Sequence, residues 1–96
     1  MEKQQEVRVF HLDFSTCTTL NEIYEQIKKE LELPAECGRN LNALWDAVTG
    51  MMYTPAQIIV SKSTKNKSLE ASVQKIISVL QEAEETYKKI VVIINN

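Results

Sequence analysis

Glycine and histidine are scarce in this chain, with two glycines and one histidine among 96 residues. So few glycines argue against a phosphate-cradling loop, because backbone N–H groups converge on an anion only where glycine lets the chain turn tightly. The lone histidine is His11, and the two cysteines, Cys17 and Cys37, lie outside any CxxC spacing. No zinc-type ligand set can be assembled from them, and no metal or cofactor is expected. Each cysteine reads as a free thiol, since a disulfide would be unusual in a reducing compartment. No apolar run approaches the roughly 18 residues that a membrane span needs. The N-terminal "MEKQQEVRVF" lacks the apolar stretch of a secretory signal, so the chain is expected in the cytoplasm, with no membrane partner. Positive charge is not in surplus either. A formal net charge of -2 argues against a general nucleic-acid binder, which normally needs a surplus of Lys and Arg gathered on one face.

What is present suits a folded protein. Hydrophobic residues make up 44% and charged residues 25% of the chain, and the length fits one domain over 1–96, with any site on the surface of a single core. "EVRVFHL", from Glu6 to Leu12, is rich in β-branched and aromatic residues and reads as a strand. Thr19 followed by Glu22 is a capping box, and Leu20, Ile23, Tyr24, Ile27 and Leu31 recur at helical spacing, which predicts a helix over 19–32 ended by Pro34. A second helix is predicted over 39–50, where Leu41, Leu44, Trp45 and Val48 form an apolar stripe and Gly50 supplies a left-handed stop. "AQIIVSK" at 56–62 is a second strand. A long helix over 68–85 follows, and "IVVII" at 90–94 is a third strand, whose unbroken apolar run suggests cover on both faces. Strands alternating with helices imply right-handed crossovers and a small parallel sheet, hence an α/β fold.

Three features invite a functional reading. Lys62, Lys65 and Lys67 cluster before the long helix, but without glycine they read as a solvated loop. His11 has no recognisable nucleophile or carboxylate partner in the sequence and reads as structural. The helix over 39–50 is more informative: opposite its apolar stripe stand Arg39, Asn42, Ala43 and Asp46, with Ala47 and Thr49 on the flanks. Exposed helix faces favour Glu, Lys and Gln, whereas Asn and Asp are poorer helix formers, and small alanines beside one carboxylate let another surface approach. This face is a candidate for binding a partner.

The run "LPAECGRNLNALWDAVTG", Leu33 to Gly50, closely resembles the barstar family of intracellular ribonuclease inhibitors in identity, order and spacing. The helix ending "KKELELP", the proline at Pro55 and the final "IVVII" extend the likeness over most of the chain. The resemblance implies a two-layer α/β domain, a three-stranded parallel sheet with helices packed against it, that is a monomer when free and not an enzyme. It also implies a protein partner, a bacterial ribonuclease with a cationic active site, met by the helix over 39–50 and the loop before it. By position, Asp46 would be the central carboxylate and fill the pocket that holds a substrate phosphate. Gly38, Asn40, Asn42, Ala43, Trp45, Thr49 and Gly50 fall in the family's binding segment, with Glu36 and Met51 at its edges and Glu82 at an acidic contact position of the long helix. Asn42 stands where the family's inhibitor has a second carboxylate, and Glu36, Cys37 and Met51 where it has aromatic residues. Arg39 adds a cation. The frame is kept while specificity-setting positions differ, as expected for a different nuclease. The alternative is a barstar-like binding module whose partner is not a ribonuclease.

Overall fold

The structure, a computed structural model, describes residues 6–95. Strands β1 (Arg8–Asp13), β2 (Ala56–Ser61) and β3 (Ile90–Asn95) form a parallel sheet in the order β1-β2-β3. Helices α1 (Leu20–Glu30), α2 (Leu41–Gly50) and α3 (Glu70–Tyr87) connect them, the last entered through a 3-10 turn at Lys67–Leu69. The strands are in simple register, with Arg8, Ala56 and Ile90 aligned at one end and Asp13, Ser61 and Asn95 at the other. The expected three-stranded parallel α/β architecture is thus present.

All three helices contribute to one core on one face of the sheet. Phe10 and Leu12 of β1, Ala56, Ile58 and Val60 of β2 and Ile90 of β3 are buried there against Ile23, Ile27, Leu44, Val48, Val73, Ile76 and Leu80. The opposite face is open, and the reading of β3 as covered on both faces is corrected. Val91 is 53% and Ile93 36% exposed, alternating with half-buried Val92 and Ile94. The unbroken β-branched run reflects strand propensity on an edge strand; one-sided packing of the helices sets the burial.

The helix ends show how local sequence fixes the frame. Thr19 caps α1, its hydroxyl accepting from the Glu22 N–H at 3.1 Å. Glu22 does not complete the box through Thr19. Its carboxylate accepts from the Thr18 N–H at 2.7 Å and the Thr18 hydroxyl at 3.1 Å. At the other end, Glu32 adopts a left-handed φ of 56°, while the Leu33 N–H donates to Lys28 O and the Glu32 N–H to Lys29 O. This is a Schellman stop without glycine, so α1 ends before the proline that was expected to end it. Correspondingly, no glycine has a positive φ. Gly50 is the last residue of α2, and the Met51 and Met52 N–H groups close the helix by donating to Ala47 O. Met52 is buried and Met51 is exposed.

Hydrogen bonds from Thr18, the backbone N–H foremost, hold the Glu22 carboxyl below the usual glutamate value of 4.5. A carboxylate whose folded value is depressed stabilises the fold above its unfolded value, and that contribution is lost as pH falls through the folded one. Stability measured by urea unfolding is therefore expected to decline as pH drops below about 4.5. Glu22→Gln should flatten this acid limb, and an unchanged limb would show that the α1 cap does not contribute to it.

Candidate functional site

Helix α2 is placed by its first residues. Asn40 is extended, with φ -154°, and its Oδ1 accepts from the Ala43 N–H at 2.8 Å. The helix therefore starts at Leu41, two residues later than predicted. Gly38 lies close against this first turn. A Cβ built on it would come 3.2 Å from the Ala43 Cβ, tighter than an ordinary contact, so a side chain there would require a shift of a few tenths of an ångström between loop and helix. What favours glycine at this position is close contact, not backbone angle. Leu44, Ala47 and Val48 are buried; Ala47, expected beside the polar face, is fully enclosed.

The outward side of α2 and the preceding loop together enclose an open notch of about 250 Å³, lined by Pro34, Glu36, Cys37, Gly38, Ala43, Asp46 and Met51. Five predicted site residues, Glu36, Gly38, Ala43, Asp46 and Met51, are thus brought together. Asn42 is exposed on the same helix. Trp45 is half-buried, its ring tilted at 53° against Tyr87 of α3 with centroids 6.1 Å apart. Tyr87 was missed from sequence, because nothing in its helical pattern ties it to α2; its 47% exposure extends the aromatic surface beside Trp45. The Thr49 hydroxyl is engaged inside its own helix, donating to Trp45 O at 2.7 Å. Gly50 and Glu82 are exposed and outside the notch. Asn40 has spent its side-chain carbonyl on the cap.

The electrostatics favour an outside cation. Among the described residues the ion pairs are Arg8 with Glu32, Lys28 with Glu25 and Arg39 with Glu25, so neither Asp46, Glu36 nor Glu82 is neutralised by a neighbour. Arg39 was expected in the row of Asn42 and Asp46. It precedes the helix instead, and its Nε donates to Glu25 Oε2 on α1 at 2.6 Å. Asp46 of the capped, packed helix and Glu36 of the loop before it thus line one open notch, where they can accept hydrogen bonds from guanidinium or ammonium groups.

The family model described as "Barstar (barnase inhibitor)" matches residues 7–94 of the chain. This chain belongs to the barstar family. A protein of Bacillus subtilis (strain 168) named "Putative ribonuclease inhibitor YrdF" is 33% identical to it over 67 residues, which is 69% of this chain and 74% of that protein. All of the notch's lining residues except Met51 fall in the run Leu33 to Gly50.

Elsewhere the sequence candidates remain isolated. His11 is exposed on the open sheet face, in register with Ile59, and has no hydrogen-bonded partner among the described residues. Lys62, Lys65 and Lys67 are exposed around Asn66, whose Oδ1 accepts from the Ser68 N–H and whose Nδ2 donates to Thr18 O, so the loop is tied down by an asparagine. Glu70, in the first turn of α3, lines the hollow beside Lys62.

The two thiols differ. Cys17 is 5% exposed, and burial pushes its thiol above the ordinary range; Cys37 lines the notch and is half-buried. Because the thiolate is the reactive form, iodoacetamide is expected to alkylate Cys37 in the native protein and Cys17 only after unfolding. Peptide mass mapping reads this directly, and equal native labelling would contradict the placement of Cys17.

Proposed function

We propose that this barstar-family chain is a cytoplasmic, monomeric inhibitor of a bacterial ribonuclease, blocking the enzyme with α2 and the loop before it and performing no catalysis itself. The observation that carries the reading is the pair of carboxylates without an ion-pair partner among the described residues, Asp46 on the capped helix and Glu36 on the loop before it, lining one notch. A ribonuclease gathers Arg, Lys and His to hold a phosphate and stabilise its developing charge. Asp46 enters that pocket as a phosphate mimic, taking charge-assisted hydrogen bonds from those side chains. Around it, Glu36, Gly38, Asn40, Asn42, Ala43, Thr49, Gly50 and Met51 shape the contact, while Trp45, leaning on Tyr87, supplies a half-buried aromatic wall. Glu82 adds an acidic contact from α3. No helix among the described residues is long and apolar enough to cross a membrane.

The test is capture from an extract of the cells that carry the gene. The immobilised chain should retain a protein whose ribonuclease activity appears on elution and disappears when free chain is added back. Recovery only of proteins without nuclease activity would favour the alternative, a barstar-like module with another partner.

A further inference from the structure

Arg39 stands immediately before the cap of α2, three residues after Glu36. Their Cα atoms are therefore no more than about 11 Å apart by chain geometry, within the combined reach of the two side chains. A free guanidinium there would compete for the carboxylates that the inhibitor reading offers to a cationic enzyme. The structure holds it elsewhere. Glu25 Oε2, on α1, accepts from Arg39 Nε at 2.6 Å and lies 3.4 Å from Lys28 Nζ, which itself donates to Ala35 O at 2.8 Å. The loop is thus tied to α1 at both ends, once through its backbone and once through its only arginine.

We propose that Glu25 is a positioning residue of the inhibitor: it holds the Arg39 guanidinium against α1 and so leaves Glu36 and Asp46 unopposed for a cationic partner. This rests on the inhibitor reading above. Three observations support it. No ion pair among the described residues reaches Glu36 or Asp46. The hydrogen bond from Arg39 is the first cause holding the Glu25 carboxyl below the usual glutamate range. Both side chains are about half exposed, at 50% and 46%, and pairs of that kind add little to folding stability. Removing Glu25 should therefore be felt in binding and not in the fold. A released cation slows encounter with a like-charged site, because long-range charge complementarity governs association more than dissociation.

The test uses the full chain and the captured ribonuclease, with association and dissociation rates, salt dependence and thermal midpoints measured for the wild type, Glu25→Gln, Arg39→Ala and the double variant. Glu25→Gln is expected to weaken binding about tenfold, chiefly through slower association at low salt, with its midpoint unchanged. Arg39→Ala should bind at least as tightly as the wild type, and the double variant should match Arg39→Ala, because no cation remains to restrain. A harmless Glu25→Gln, or an equal loss in the Arg39→Ala background, would overturn the role of Glu25 while leaving the inhibitor reading intact. Wild-type chain that fails to inhibit the captured enzyme would overturn both.

Discussion

Asp46→Ala is expected to weaken inhibition of the captured ribonuclease by about 30-fold to several thousand-fold, the equivalent of roughly 2–5 kcal/mol for truncating one partner of a buried, hydrogen-bonded charge pair. That range is general to such pairs, and the barnase–barstar complex is one of the systems behind it; it is not a value read from this chain. The size follows from what is left behind. Without Asp46 the enzyme's cationic pocket would be closed over by protein and left unpaired, and an unpaired buried charge costs more than the pair was worth. The fold should not respond, since Asp46 is exposed and joins no ion pair among the described residues. Thermal unfolding separates the two effects. Asp46→Asn, which keeps the shape and removes the charge, should recover little of the inhibition. Full inhibition by Asp46→Ala would remove α2 from the centre of the interface.

Phe14→Ala should do the reverse, destabilising the fold by about 3–5 kcal/mol through lost apolar contact and the cavity left behind. Phe14 is fully buried, with 0% exposure, where β1 leaves the sheet. Its N–H donates to Ser61 O and its carbonyl accepts from the Cys17 N–H, so its backbone is fixed while its ring fills the core. Domains of this size have a total stability of roughly 5–15 kcal/mol, so the variant should unfold at a much lower urea concentration or fail to accumulate. A loss below about 1 kcal/mol, typical of a surface substitution, would mean that the ring is not packed as described. At sub-unfolding temperature the surviving folded fraction should inhibit as well as the wild type, because nothing in the notch has changed.

The sequence made the elements legible because each rests on local rules. Apolar residues at helical spacing placed α1, α2 and α3 within a few residues of their observed bounds, and β-branched runs placed the three strands. Glycine misled in one place: Gly50 looked like a stop signal, yet the stops that use left-handed backbone fall on Glu32 and Lys88. The open side of the sheet was hidden for a different reason. Burial of β3 depends on which face the helices choose, a tertiary decision that "IVVII" does not encode.

The candidate site divides along the same line. Asp46, Ala43 and Asn42 could be assigned to one helix face from spacing alone, whereas the proposal that they meet a ribonuclease rests on likeness to the barstar family. Glu25 and Tyr87 were invisible, because each meets the site across a gap in sequence that no period spans: Glu25 through Arg39, Tyr87 through Trp45. Arg39 shows the cost of extending a helical pattern past its cap. Placed by periodicity it faces the partner; placed by the Asn40 cap it turns back to α1.

Whether this chain fills a ribonuclease's phosphate-binding site is tested most directly by the dependence of inhibition on RNA concentration. If Asp46 occupies that site, inhibitor and substrate exclude one another. The apparent inhibition constant should then rise linearly with RNA concentration, kcat at saturating RNA should be unchanged, and a mononucleotide should displace the chain. An inhibition constant independent of RNA concentration, with the mononucleotide bound alongside the chain, would contradict the account.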